Sequence, residues 1–395
     1  MAVILVLDGE ARASLAVARS LVRAGHCVYV ASSRKWSIAA VSKGVRSVRV
    51  EADALASPVD YVRAVARTAS VIDADVVIPV TDASAEALLE RLQLLPQTCR
   101  VPFAPLSVYR QASNKVQVQE IAQTLGIGVP ESIILTSPAL PSSTEEKFFP
   151  GVIKPHRSVV GVASRTKTRV QFVLNSREAE AALLSLPIEA FPVLLQRRVN
   201  GPGEGIFIAR WNGRTIARFA HRRLREKPPA GGVSVFRESI EMDSQVLRAC
   251  EGLLDRLGWQ GVAMLEGKRD DSSGRWCLME INGRFWGSLQ LAVDAGVDFP
   301  ALLVDAVLGA ENVNPPDWST GVRLRWEWGD IDHLFIRLRR SRAKLSLPND
   351  APRRLQVIAD FFFHRLESDR FEVLRLRDPM PFVVETLQRV GVLRS

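Results

Sequence analysis

The strongest constraint on how this chain can fold is an alternation of short apolar runs with amphipathic stretches near its start. AVILVL, CVYVAS, SVRV and DVVIPV are separated by helical periodicity over 11–24 and 58–70, and by a weak helical pattern between the second and third runs. Such runs bury both their own surface and one helix face only as βαβ units around a parallel sheet. The first turn, Asp8-Gly9-Glu10-Ala11-Arg12, carries a single glycine. It lacks the glycines that let a dinucleotide pyrophosphate approach the backbone, so a Rossmann-like shape without NAD is expected. Thr81-Asp82-Ala83-Ser84 is a helix-start signal just beyond DVVIPV, where open sheets place their ligands. Asp82 reads either as the cap of that helix or as a substrate contact.

A chain of 395 residues exceeds one compact core and implies two or three domains. Its 47% apolar and 24% charged content is a globular balance and argues against disorder. The opening apolar run meets Asp8 too soon for a secretory segment or a membrane span, so a cytoplasmic protein with no membrane partner is expected. Cys27, Cys99, Cys250 and Cys277 form no CxxC pair and have no histidines at ligand spacing, which indicates reduced thiols. A net charge of +9 attracts polyanions of any kind and names none of them. No nucleic-acid-binding motif accompanies it, and nucleic acid is not an expected partner.

From Ala112 the texture changes. Asn114 is placed to cap a helix running to about Leu125, ended by Gly126 and Gly128 and followed by Pro130. Strand-like segments follow at 132–135, 148–154, 170–174, 193–199, 206–211 and 215–224, interrupted by a helix at 176–185, an α+β pattern. A helix over 243–257, strands over 261–268 and 276–281, and helices near Leu289 and Leu302 complete this part. After Asn312 the stretch NPPDW marks a boundary, and arginine-rich 337–342 and the apolar ADFFFH lie beyond it.

The most informative local feature is VAMLEGKRDDSSGRWCLMEINGRFWG, residues 262–287, two strand-like runs joined by a turn-rich centre. A hairpin turning near Ser273 sets Glu266 directly opposite Glu280, and alternation puts Asn282 on the same face. Two facing carboxylates repel unless a cation lies between them. Magnesium, which favours carboxylate and amide oxygens together with nucleotide phosphates, suits that set. A solvated hairpin face with unrelated acids stands as the alternative.

In these residues the chain resembles the ATP-grasp superfamily, and within it the carboxylate-amine ligase-like members, over roughly 1–312. Members of that family end their nucleotide site with a hairpin acid followed by Glu-x-Asn-x-Arg, matched here by Glu266 and by Glu280-Ile281-Asn282-Gly283-Arg284. The resemblance implies that Glu266, Glu280 and Asn282 hold Mg²⁺, with Mn²⁺ as an alternative, and that Arg284 meets the transferred phosphate. Many relatives carry proline where Gly283 stands, which implies a freer loop here. Lys115 in SNKVQVQE and Lys154 in FPGVIKP match the family's two ATP-binding lysines, and 155–163 its flap. Lys154 ends an apolar strand, where a cation is costly without an anionic partner. In VLLQRRVNGPGEG the resemblance implies Gln196 and the backbone around Arg198 and Val199 for adenine, and Glu204 for ribose. In FAHRRLREKPPAGGVSVFRES it implies a substrate segment with His221, Arg222, Arg223 and Arg225 as candidates, of which His221 and Arg222 join Arg284 as catalytic residues. Alternation allows only one of each adjacent arginine pair to face inward.

The fold so implied is α/β and α+β. A Rossmann-like pre-ATP-grasp domain (1–103) precedes the lid subdomain (104–190), the large subdomain with the metal site (191–312) and a C-terminal extension (313–395). The activity so implied is ATP-dependent: a carboxylate becomes an acyl phosphate, an amine displaces phosphate, and ADP is released. Carboxylation, carbamoyl phosphate formation and nucleotide binding without turnover are the competing readings. The expected partners are ATP, a small carboxylate and an amine, and a homodimer is left open. Asp330 and Arg325 are expected at the surface or, alternatively, beside the substrate.

Overall fold

The computed structural model describes residues 1–161, 165–229, 231–310, 313–345, 347, 351–363 and 369–393. The first unit runs β1 (Val3–Val6), α1 (Arg12–Arg23), β2 (Cys27–Ser32), β3 (Val45–Arg49), α2 (Pro58–Val71), β4 (Val76–Ile78) and α3 (Asp82–Leu89). Its strands pair in parallel in the order β3-β2-β1-β4, as the βαβ pattern predicts. The weak helix expected between β2 and β3 does not form; residues 33–44 are turns that return the chain directly to a parallel partner. Ile4 and Val6 of β1 face α1, while Leu5 and Leu7 face α2 and α3, the period-2 division of a strand buried on both sides.

Helices α4 (Leu106–Ser113) and α5 (Lys115–Thr124) lead out of this unit. The Asn114 side chain accepts from the backbone of Val116 and Gln117, which fixes the start of α5 as predicted. A lid follows, built from β5 (Ser132–Leu135), β6 (Gly151–Pro155), the short pair β7 (Val159–Val160) and β8 (Thr166–Lys167), β9 (Gln171–Val173), α6 (Ser176–Leu184) and β10 (Val193–Arg197). Its main sheet has the order β5-β10-β6-β9 and packs on α6. Val162 and Ala163, in the expected flap, and Asn312, at the expected boundary, lie outside the described residues.

The large sheet comprises β11 (Gly203–Trp211), β12 (Arg214–Lys227), β13 (Val233–Ser239), β14 (Gly261–Arg269), β15 (Trp276–Asn282), β16 (Arg323–Arg325) and β17 (Asp369–Phe371), in the order β15-β14-β11-β12-β13-β16-β17. On one face Ile206, Ile208, Leu265 and Ile281 pack with α4 and with α7 (Ser244–Arg256). On the other, Phe207, Phe219 and Met264 pack with α8 (Leu289–Asp294), α9 (Phe299–Val307) and α1 of the first unit. One continuous apolar core therefore joins the first sheet to the large sheet.

Beyond residue 312, α10 (Glu327–Arg339), α11 (Arg354–Phe362) and α12 (Met380–Arg389) accompany β16 and β17. This part returns to the start of the chain. Arg12 pairs with Glu372 at 2.6 Å, Arg19 with Asp378 at 2.8 Å, and Arg19 also donates to the carbonyls of Glu372 and Val373. Glu372 pairs as well with Arg237 of β13, which is fully buried. Asp330, expected at the surface, is fully buried between Arg225 at 3.0 Å and Arg325 at 3.1 Å. Among the described residues no helix is long and apolar enough to cross a membrane.

Breaking a buried ion pair on one side leaves the other charge uncompensated, a loss of about 3–5 kcal/mol. Glu372→Gln, which strands Arg237, is expected to lower unfolding stability by that order, read as the urea midpoint of the purified protein.

Candidate active site

The hairpin of β14 and β15 has the register the sequence implies: Glu266 lies directly opposite Glu280, and Asn282 lies opposite Met264 on the same face. The ladder slips just beyond this pair, so that Gly267 faces Leu278 and Met279 becomes an extra residue. A bulge of this kind re-aims side chains, and Met279 and Glu280 both line one cleft between the lid and the large sheet.

Each carboxylate has a cation of its own. Glu280 pairs with Lys115 at 3.3 Å and accepts from the Asn282 amide at 3.1 Å. Burial alone would raise the Glu280 carboxyl, but Lys115 and then Lys154 overcome that and hold it down to about 2. Glu266 pairs with Arg223 at 2.9 Å. Lys115 opens α5, where its backbone N–H donates to the His156 carbonyl, and its ammonium also donates to Ser158, so the helix and the strand–flap junction meet at one point.

Lys154 ends β6 and is buried, 8% exposed. Its ammonium approaches Met279 Sδ at 3.8 Å and makes no ion pair within 4 Å among the described residues. Burial drives its pKa down to about 8; Glu280 resists that shift and Lys115 adds to it. A buried cation kept short of a contact partner is suited to a phosphate that arrives with the ligand.

Gln196 lines the same cleft and is 2% exposed. Ser132 Oγ gives its one proton to the Pro130 carbonyl, so it must accept from the Gln196 amide nitrogen at 3.0 Å. Gln196 Oε1 is thereby left buried with no hydrogen-bond partner, an acceptor awaiting a donor such as an exocyclic amine. Val199 lines the same cleft, and its carbonyl accepts from Lys268 at 3.3 Å.

Arg284 faces the first unit. It donates to Asp82 at 2.9 Å and to Asn282 Oδ1 at 3.3 Å, and Tyr109 donates to the other Asp82 oxygen at 3.2 Å. The cap of α3 is Thr81, which accepts from Ser84, leaving the Asp82 carboxylate for Arg284. Here a cavity of about 610 Å³ opens at the C-terminal edge of the first sheet, lined among others by Arg12, Tyr61, Asp82, Val159, Lys167 and Arg284. The lid reaches over it, with Arg157 pairing with Glu86 of α3 and Arg165 with Glu90, each at 2.5 Å.

Four expectations are corrected by this geometry. Arg222 lies opposite Glu204 and pairs with Glu238 at 2.9 Å, on the face away from Glu266; Arg223 is the arginine that reaches the cleft. His221 does share the cleft face, but it is enclosed, 1% exposed, with Phe207 edge-on at 4.7 Å, and does not line the cleft. Its imidazole is held neutral, its pKa lowered well below the ordinary value by burial and then by Arg223 and Arg237. Glu204 is buried on the opposite face and locked by Arg269 through two bonds of 3.1 and 3.0 Å. Gly283 does not loosen its loop: a Cβ there would collide with the ring of Trp259, so glycine admits a buried tryptophan.

Three His, Cys, Asp or Glu side chains that could hold a metal by themselves are not found together among the described residues. Glu266, Glu280 and Asn282 offer two carboxylates and an amide oxygen, a set that suits Mg²⁺ bound together with nucleotide phosphates.

A family model described as ATP-grasp in the biosynthetic pathway with Ter operon matches residues 189–329. Solved structures of similar architecture include an L-amino acid ligase from Bacillus licheniformis, at 17% identity and TM-score 0.58 over 78% of this chain and 74% of that one. A biotin carboxylase from Campylobacter jejuni aligns at 14% identity and TM-score 0.61, over 81% and 74% of the two chains. An N5-carboxyaminoimidazole synthetase from Staphylococcus aureus gives 13% identity and TM-score 0.61, over 80% of each. The chain shares the fold of these structures, and its residues 189–329 match the ATP-grasp model. The D-aspartate ligase of Enterococcus faecium (strain Aus0004) is 21% identical over 216 residues, 51% of each chain, so this chain spans about half the length of that curated relative.

A phosphate beside Lys154 stabilises its charged form, so nucleotide affinity is full below the free-state pKa of about 8 and falls as pH rises through it. Mg-ATP is expected to bind about tenfold more weakly at pH 9.5 than at pH 7, measured by calorimetry. Lys154→Arg removes most of that slope, because guanidinium stays charged throughout.

Proposed function

We propose that this protein is an ATP-dependent ligase that converts a carboxylate to an acyl phosphate and joins it to an amine. The observation that carries the reading is that Lys154, Glu266, Glu280 and the unsatisfied Gln196 acceptor line one cleft, with Lys115 and Asn282 both bound to Glu280. Buried cations suit phosphates, and a buried acceptor without a partner suits the adenine amino group.

Lys115 and Lys154 hold the nucleotide phosphates, and Gln196 takes the adenine amino group. Mg²⁺ or Mn²⁺, held by Glu266, Glu280 and Asn282 with those phosphates, supplies neutralisation of charge on the transferred phosphoryl group. Arg284 orients the substrate carboxylate from the cavity beside Asp82. A carboxylate oxygen bonds to the γ-phosphorus, the bond to the β-phosphate oxygen breaks, and ADP leaves. The amine nitrogen then bonds to the acyl carbon, phosphate departs and the nitrogen loses a proton to solvent or buffer. The Arg157–Glu86 and Arg165–Glu90 pairs hold the lid over the cavity, which limits hydrolysis of the acyl phosphate. Cys27, Cys99, Cys250 and Cys277 are free thiols, which supports a reducing, cytoplasmic setting.

Incubation of the purified protein with Mg-ATP and pooled amino acids and small carboxylic acids is expected to release ADP and phosphate only when acid and amine are both present. Glu280→Gln is expected to slow that release by roughly 100-fold or more. AMP with pyrophosphate as products, or ADP release that depends on bicarbonate, would exclude this ligase chemistry.

A further inference from the structure

We infer that Glu226, and not Glu204, is the carboxylate that receives the ribose hydroxyls of the nucleotide; the inference rests on the ATP-binding reading above. Gln196, whose Oε1 is the free acceptor, lies opposite Val152, two residues along β6 from Lys154, and the facing pair Glu266 and Glu280 lines the same cleft. A ribose joining base to phosphates lies in that cleft. A vicinal diol donates two hydrogen bonds, and an ionised carboxylate, which only accepts, is the side chain suited to take both.

The carboxylates lining the cleft are Glu226, Glu266 and Glu280. The last two face each other across the β14–β15 hairpin as the metal-binding pair of the reading above, held also by Arg223 and Lys115. Glu204 is turned to the other face of the sheet, where Arg269 occupies both of its oxygens. The adjacent residue on the cleft side of β11 is Gly203. A Cβ at Gly203 would lie 3.1 Å from Glu226 Oε1 and 2.9 Å from Arg223 Cδ. Strand β11 thus leaves a space on the cleft side, and strand β12 fills it with an acid.

Regular alternation from Arg223 would send Glu226 to the opposite face. Two register shifts, between Arg223 and Arg225 and between Arg225 and Glu226, change that phase. Glu226 Oε1 then accepts from Arg223 at 2.9 Å, while Oε2 carries no hydrogen bond among the described residues. His333 of α10 contacts the Glu226 carbonyl at 2.6 Å and fixes the backbone from the C-terminal part of the chain. Arg223 also holds Glu266, so one guanidinium joins the ribose position to the metal-binding pair.

The test is calorimetric binding of Mg-ATP and of Mg-2′,3′-dideoxy-ATP to the full chain and its variants. The wild-type protein is expected to prefer ATP by at least about tenfold, the effect of losing hydrogen bonds to a charged group. Glu226→Ala is expected to bring that ratio close to one, and Glu204→Gln to leave it unchanged. Disturbance of Arg223 in the Glu226 variant weakens both nucleotides alike, so the ratio isolates ribose recognition; Glu226→Gln, which keeps the shape, is expected to give an intermediate ratio. A wild-type preference that survives Glu226→Ala, or no wild-type preference at all, overturns this assignment alone. Absence of binding by either nucleotide to the wild-type protein overturns the ATP-binding reading and this assignment with it.

Discussion

Glu280 lies within the field of two buried lysines that come from different elements, Lys115 from the start of α5 and Lys154 from the end of β6. Glu280 opposes the loss of charge that burial imposes on Lys154, and it could not stay ionised there without the two lysines. The large sheet supplies the acid, and the lid and the helix leading to it supply the bases. The relative placement of these units is therefore written into a charge balance as well as into apolar packing. The balance is incomplete on the Lys154 side, where no carboxylate among the described residues makes contact, and that shortfall makes the cleft receptive to an anion.

Sheet geometry decides which charges reach this centre. Alternation sends Glu204 and Arg222 to one face and Glu266 and His221 to the other. Bulges then modify the rule where function needs it: one beside Glu266 brings Met279 and Glu280 to the cleft together, and two in β12 do the same for Arg223 and Glu226. Three of the register shifts among the described residues of the sheet thus lie at the cleft, while a fourth falls between Ala209 and Arg210, and the regular positions build the two apolar faces.

The same geometry explains what could be read in the sequence. The parallel first sheet, the cap at Asn114 and the facing of Glu266 and Glu280 follow from local signals: apolar period, a capping side chain and the turn between two strands. Lys154 was legible because a lysine at the end of an apolar strand is chemically out of place. The phase of Arg222 and Arg223 was not, since it depends on strand neighbours distant in sequence, and Glu226 lies beyond bulges that leave no compositional mark. The sequence alone implies a freer loop at Gly283, whereas the reason for that glycine is Trp259, a ring brought to it by the fold. Asp330 resembles any surface acid until Arg225 and Arg325 are seen on either side.

The contact of Arg12 and Arg237 with Glu372 has a temporal side as well. Arg12 borders the cavity beside Arg284, yet its partner lies 360 residues further along the chain. During synthesis the parallel sheet, the lid and the carboxylate hairpin all emerge before that partner does. The cleft of Lys154, Glu266 and Glu280 can therefore form while Arg12, on the wall of the cavity beside Arg284, still lacks its anchor. Because domains fold as they emerge, and non-local contacts carry the larger entropic cost of closure, the order of assembly runs from the cleft of the hairpin toward the cavity beside Arg284.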